Sequence, residues 1–181
     1  DSMRPGQWLD TLADDRIAFR ATFKDQTPKA DQRYWRGPVL WDFDGLQWTR
    51  QNQDSIPNTK QPLLQATNSN SITYDVSLEA TEKKYIPSLD WPYSTASDYS
   101  ISNDGTVYSD LAIQKVTRYS GMSILQPNSN AKLDTETRQR ALSFPKGFNK
   151  KTQALALQWR AESDSDRAYI ARVMEWIEQD F

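Results

Sequence analysis

Strict alternation of apolar and polar residues marks two segments most clearly. Ile17, Phe19, Ala21 and Phe23 alternate with Arg16, Ala18, Arg20, Thr22 and Lys24, and Ile72, Tyr74, Val76 and Leu78 repeat the pattern. A two-residue period places successive side chains on opposite faces of a strand, so both segments read as half-buried strands. Ser100-Ile101-Ser102 and Thr106-Val107-Tyr108 flank Asn103-Asp104-Gly105, which predicts a hairpin turning at the Asn-Asp-Gly. Ile113 to Tyr119 is expected to add a strand with Val116 facing inward. Tyr85-Ile86-Pro87 and Leu89-Asp90-Trp91-Pro92-Tyr93 read as irregular edge segments, because proline cannot donate to a central ladder.

The densest apolar stretch runs from Arg33 to Thr49 and contains Tyr34, Trp35, Trp41, Phe43 and Trp48. It predicts two buried strands joined by a tight turn at Asp44-Gly45, with the first strand broken at Pro38. Type I′ geometry is expected there, since it needs positive φ at both central positions. Residues 26–32 read as a loop, and Gln51 to Ser71 as a long exposed one. Near the start, Trp8, Leu9, Leu12 and Ala13 have the spacing of a short helical turn.

Beyond Pro127-Asn128-Ser129-Asn130 the period changes from two to three and four. Asp134 is positioned to cap a helix over Thr135 to Leu142, with Phe144-Pro145-Lys146-Gly147 ending it. Asn149 is expected to cap a second helix, with Ala154, Leu157 and Ala161 on one face and Leu155 and Trp159 beside them. Ser163 with Asp166 approximates a capping box for a third, which carries Ile170, Val173, Met174, Ile177 and Phe181 as an apolar stripe. That stripe ends without a C-cap, as expected of a helix that meets a further body. The elements predict an α+β chain: a mainly antiparallel β-sandwich or open barrel followed by two or three C-terminal helices.

Composition changes this picture little. The chain has 181 residues, enough for one domain with an appendage, and although only 37% are hydrophobic, seven Trp and eight Tyr make the expected core aromatic. Lys and Arg total 22 against 24 Asp and Glu, with the signs interspersed, which disfavours nucleic acid as a partner. The chain lacks Cys and His, which excludes disulfides, thiolate metal sites and the commonest zinc ligand. No apolar run approaches the roughly 18 residues of a membrane span.

Candidate chemistry is sparse. Asp42-Phe43-Asp44-Gly45 matches half of a calcium loop, but the twelfth position, which needs a carboxylate, is Gln53. Paired acids at Asp14-Asp15 and at Glu79 with Glu82 have no supporting constellation, and no glycine-rich phosphate loop exists. No catalytic, cofactor-binding or metal-binding residue is assigned. Trp35, Trp41 and Trp48 suit a core better than a stacking platform. Arg36 is expected to pair with Asp42 or Asp44 across the hairpin. The residues singled out as a structural or interface motif are Trp35, Arg36, Gly37, Asp42, Asp44, Gly45 and Trp48.

The run Tyr34-Trp35-Arg36-Gly37-Pro38-Val39-Leu40, followed by Phe43-Asp44-Gly45 and Trp48-Thr49, resembles the segment preceding the catalytic core in bacterial membrane-anchored transglutaminase-like proteins of the protein-glutamine gamma-glutamyltransferase type. Further matches occur in order: Met3, Pro5 and Gly6 before Leu9; Ala18-Phe19-Arg20; Tyr74, Val76, Leu78 and Glu79; and Phe144-Pro145, Gly147-Phe148-Asn149. The resemblance implies a parent that transfers or hydrolyses acyl groups at glutamine carboxamides through Cys, His and Asp. Without Cys or His, this chain is not the catalyst in that scheme. It would form a non-catalytic accessory domain over residues 1–128 and the start of the core over 129–181, on the periplasmic side of the inner membrane. The implied partners are the catalytic core of the same polypeptide, a protein or peptide substrate, and the membrane only through helices outside this chain. No cofactor is implied. The other reading is a free-standing β-sandwich module that binds glycan or peptide through the 51–71 loop and surface Trp residues.

Overall fold

A computed structural model describes residues 2–4, 6, 16–50, 71–95, 98–125 and 134–180. The expected helical turn at Trp8 to Ala13, nearly all of the 51–71 loop, the Pro127 to Asn130 break and the Phe181 end of the last stripe lie outside them.

Among the described residues the fold is antiparallel β structure followed by helices. The strands are β1 (Ser2–Met3), β2 (Phe19–Phe23), β3 (Trp35–Arg36), β4 (Asp42–Phe43), β5 (Trp48–Thr49), β6 (Ser71–Leu78), β7 (Tyr85–Ile86), β8 (Ser88–Leu89), β9 (Trp91–Thr95), β10 (Tyr99–Ile101), β11 (Val107–Ser109) and β12 (Thr117–Ile124). Helices α1 (Thr135–Ala141), α2 (Lys150–Ala161) and α3 (Asp166–Asp180) follow. The α+β expectation holds, with four small antiparallel sheets and no closed barrel.

The main sheet runs β2-β6-β12-β9. Its centre is the eight-residue ladder of β6 with β12, from Thr117 opposite Leu78 to Ile124 opposite Ser71. Alternation on β6 sends Ile72, Tyr74, Val76 and Leu78 into the core, each no more than 2% exposed, while Asp75 faces solvent and pairs with Lys24 at 3.0 Å. Opposite Tyr74 stands Gly121, where a Cβ would lie 2.8 Å from the Tyr74 ring, so glycine is what lets that ring lie across β12. The Tyr74 hydroxyl accepts from Leu89 N at 3.1 Å and shares a 2.9 Å bond with Ser123 Oγ. Burial pushes its pKa up, and these hydrogen bonds offset only part of that shift.

The edge prolines behave as expected: Pro92 lies on edge strand β9, beside the register shift at Met122 and Ser123. The Asn103-Asp104-Gly105 hairpin is also present, joining β10 to β11, with Gly105 at φ +79.

Other expectations are corrected. Arg33 to Thr49 does not form two buried strands of one hairpin. Its first part, β3, leaves for a separate two-stranded sheet with β8, because the chain after Arg36 runs through Gly37 and Pro38, and Pro38 has no N–H to extend a ladder. Only β4 and β5 form the hairpin, and β1 adds to its free edge. The strand expected over Ile113 to Tyr119 begins instead at Thr117, and Val116 is 53% exposed; Ile113 is buried because its backbone pins the Thr81 to Lys83 turn.

In the helices, Asp134 caps α1 as expected, accepting from Thr137 N at 2.8 Å. Asn149 sits at the start of α2, but in a left-handed conformation with no side-chain cap. Ser163 does not cap α3. Its hydroxyl donates to Trp159 O, closing α2, while Ser165 Oγ accepts from Ala168 N and does the capping. On α2 the half-buried positions are Gln153, Leu155, Ala156 and Trp159, whereas Ala154 and Leu157 face outward. Trp159 meets Trp176 edge-on at 5.5 Å, and Arg172 spans from the Trp159 face to Glu162, joining α2 to α3. The α3 stripe stays exposed at Ile170, Met174 and Ile177.

A candidate interface at the aromatic hairpin

The seven singled-out residues divide into three environments. Trp35 belongs to the core. The β3–β8 pairing sets it opposite Leu89, and its ring meets Phe19 at 4.9 Å and Tyr74 at 5.4 Å, both edge-on. Trp41 is held by hydrogen bonding, and Trp48 stacks on Phe43 at 4.8 Å. The three indoles therefore form no common platform, and only Trp35 packs against the core, Trp48 being 38% exposed.

The β4–β5 turn is built around Asp44. Its Oδ1 accepts from Leu46 N and Gln47 N, both at 2.8 Å, while Asp44 N donates to Gln47 O. These backbone donors hold its carboxyl below the usual range. The type I′ expectation fails, because positive φ occurs at Gly45 (+102°) and not at Asp44 or Leu46. The aspartate side chain has taken over the acceptor role of its own carbonyl, as in an Asx turn.

This hairpin is where the helical segment meets the β structure. Arg140 Nη2, on α1, donates to Asp42 Oδ2 at 2.9 Å, and its guanidinium lies 5.1 Å from the Trp41 ring centroid. Phe144 lies 5.8 Å from Phe43, and the Phe148 ring covers Gly45 so closely that a Cβ there would fall 2.5 Å from it. Asp42 is thereby spent on Arg140 and Asp44 on its turn, so the expected pairing of Arg36 with either is absent. Arg36 instead donates from Nε to Asp90 O at 2.8 Å. Gly37 is exposed, with open space where a Cβ would stand.

Behind Trp41 lies a buried charged group that spacing did not reveal. Trp41 Nε1 donates to Asp104 Oδ2 at 3.0 Å, and Ser102 Oγ and Thr106 N donate to Oδ1. Burial works against the Asp104 charge, but these hydrogen bonds outweigh it and hold its pKa below the usual value. Arg50 Nη2 lies 3.6 Å from Asp104 Oδ2, the two side chains being 6% and 11% exposed. The Arg50 guanidinium stacks 4.6 Å from the Tyr108 ring centroid, and its Nε and Nη1 have no hydrogen-bond partner. Desolvation lowers the Arg50 pKa, with Asp104 opposing that shift. Asp104 read in the sequence only as a turn residue, and Arg50 and Arg140 carried no signal at all. Trp41 and Asp104 are 63 positions apart, and Asp42 and Arg140 are 98 apart. Among the described residues no cluster of three or more acidic side chains is placed to hold a metal, and no helix is long and apolar enough to cross a membrane.

Comparison with known proteins fits this architecture. The chain superposes on the crystal structure of the periplasmic domain of TgpA from Pseudomonas aeruginosa with a TM-score of 0.84 and 24% identity, over 96% of this chain and 59% of that one. It superposes on the ethylmercury-bound form of the same domain with a TM-score of 0.83 and 24% identity, over 96% and 60%. The chain thus spans about three-fifths of the length of the structures it matches. No curated protein matches it. The family model described as the TgpA N-terminal domain matches residues 1–130, and the chain belongs to that family.

Proposed function

We propose that this chain is the non-catalytic extracytoplasmic domain of a membrane-anchored transglutaminase-like protein, located on the periplasmic side of the inner membrane. Its task is to hold the helices that lead into a downstream Cys-His-Asp core. Residues 1–128 form the accessory body and 129–181 the beginning of that core. The parent acts by acyl transfer or hydrolysis at glutamine carboxamides. Family membership and the resemblance carried by Trp35-Arg36-Gly37-Pro38 support the assignment. The absence of Cys and His from the sequence leaves the thiolate–imidazole chemistry to residues elsewhere in the parent.

The observation that carries the positioning role is the seat of α1 and the following turn on the β4–β5 hairpin: Arg140 on Asp42 and Trp41, Phe144 on Phe43, and Phe148 over Gly45. A catalytic body continuing from those helices has its orientation set by this contact. Misplacement of reacting groups by about 1 Å costs on the order of a hundredfold in rate, so a rigid mount matters to a remote site.

The test compares this chain with one extended through the rest of the periplasmic region, using a glutamine peptide and an amine donor. Activity is expected only in the longer chain, and activity in the 181-residue chain overturns the reading. In the longer chain, Asp42→Asn with Phe144→Ala is expected to lower kcat while the β body melts unchanged. Undiminished kcat in that variant refutes the positioning role.

A further inference from the structure

Arg36 lost its expected carboxylate partners to Arg140 and to the Asp44 turn, yet its half-buried side chain is held by a hydrogen bond and two aromatic rings. Its Nε is fixed on Asp90 O at 2.8 Å. Its guanidinium carbon lies 5.0 Å from the Trp91 ring centroid and 5.8 Å from that of Tyr34. Gly105, at φ +79, leaves the space beside it, since a Cβ there would come within 3.4 Å of both Arg36 Cδ and Trp91. The backbone around it is also set: Asp90 N donates to Tyr34 O at 2.7 Å, and Asp90 adopts φ +41, an unfavourable conformation for a non-glycine residue.

Among the described residues, Nε makes the one hydrogen bond this guanidinium forms, and Arg36 has no ion pair. Arg36 is half-buried, and unlike Arg50 it has no buried nitrogen without a partner, so Nη1 and Nη2 each keep some contact with solvent. The result is a pre-oriented, solvent-accessible fork on a half-buried arginine, beside an aromatic ring, Tyr34, that is 62% exposed. A planar fork of two parallel N–H donors matches the two oxygens of a carboxylate, and little side-chain entropy remains to be lost on binding. A single cation suits a singly charged group better than a phosphate dianion.

We infer that Arg36, with Tyr34 and Trp91, is a binding site for a peptide carboxylate, either a side-chain carboxylate or a free C-terminus. The Nη edge grips the carboxylate and the Tyr34 ring covers an adjacent apolar side chain. This site is separate from the helix-docking hairpin and does not depend on the function proposed above.

The test titrates the 181-residue chain with N-acetyl glutamyl-phenylalanine amide, its glutaminyl counterpart, N-acetyl phenylalanine and inorganic phosphate, following the Arg36 Nε–H and Trp91 indole N–H resonances. Saturable shifts with the glutamyl peptide are expected at millimolar concentrations, with the glutaminyl peptide at least about tenfold weaker. N-acetyl phenylalanine binding as well as the glutamyl peptide assigns the site to C-termini, and weaker binding assigns it to acidic side chains. Arg36→Lys keeps the charge but loses the fork and is expected to weaken binding about tenfold or more. Tyr34→Ala, at an exposed position, is expected to weaken it several-fold at an unchanged melting temperature. Equal binding of the glutaminyl peptide, preference for phosphate, unaltered affinity in folded Arg36→Lys or in Tyr34→Ala, or no saturable shift overturns the assignment.

Discussion

Replacing Asp104 by Ala removes the acceptor on which the charged group behind Trp41 depends. Three hydrogen bonds go with it, from Ser102 Oγ at 2.5 Å, Trp41 Nε1 at 3.0 Å and Thr106 N at 3.1 Å. So does the carboxylate 3.6 Å from Arg50, a guanidinium whose side chain is 6% exposed and already has two nitrogens without partners. Stranding a buried charge in this way costs about 3–5 kcal/mol. At roughly 2–4 °C per kcal/mol for a chain of this size, the melting temperature should fall by roughly 6–20 °C. Thermal and urea unfolding of Asp104→Ala, Arg50→Met and the double variant measure the effect. If Asp104 makes the burial of Arg50 tolerable, its loss costs less once Arg50 is Met, with a coupling of about 1–3 kcal/mol. Additive costs, or an Asp104→Ala penalty below about 1 kcal/mol, refute the reasoning. The pH dependence has a definite sign. The folded pKa of Asp104 is lowered, so its stabilising contribution is complete above the unfolded value near 3.9 and is lost as pH falls through the folded value.

Four other substitutions probe the fold and the helix seat. Tyr74→Phe leaves Leu89 N and Ser123 Oγ, both in residues 0% exposed, without their shared partner, and should cost about 1–3 kcal/mol by urea denaturation. Gly121→Ala drives a methyl to 2.8 Å from the buried Tyr74 ring, with an expected loss of about 1–3 kcal/mol that shrinks when Tyr74 is also truncated. Gly45→Ala meets both a φ of +102 and the Phe148 ring at 2.5 Å; it should destabilise the hairpin by about 1–2 kcal/mol and displace Phe148, visible as a shifted Phe148 ring resonance. Asp134→Ala should lower helix content in far-ultraviolet circular dichroism. In the parent chain the same loss should appear only at acid pH, because hydrogen bonds from Thr137 hold the Asp134 carboxyl below its usual range.

The parts legible in the sequence were those fixed by local rules. β6 announces itself because one face is core and the other water, so alternation and burial coincide from Ile72 to Leu78. The Asn103-Asp104-Gly105 turn and the edge position of Pro92 follow from backbone chemistry alone. The Arg33 to Thr49 stretch departs from its expected hairpin because apolar density says that a segment is covered, not which strand covers it; β3 pairs with β8, more than fifty residues away. Cap assignments failed at Asn149 and Ser163 for a related reason. Residue type shows a capacity to cap, whereas the φ of 50 at Asn149 and the competing Trp159 carbonyl decide whether it is used. Asp42 and Asp44 stood out in the sequence, but their actual partners are a helix residue and a turn's own backbone.

The helix seat is held by charges of unequal exposure, and that inequality is what gives it rigidity. Taken alone, Arg140 with Asp42 is a half-exposed pair, 34% and 42% accessible, of a kind that contributes about 0–1 kcal/mol. Its second contact, the Trp41 face, is different, because the indole is fixed by its N–H on Asp104, and Asp104 is fixed by three donors and by the burial of Arg50. The orientation of α1 is therefore referred through Trp41 to a carboxylate that cannot readily move. Variants at Asp104 should loosen α1 and Phe144 even under conditions in which the β6–β12 ladder stays intact, whereas variants at Asp42 should remove one contact and leave the Trp41 seat in place. Under the positioning role proposed above, a seat of this kind would hold the helices relative to the β body without requiring a large apolar interface between them.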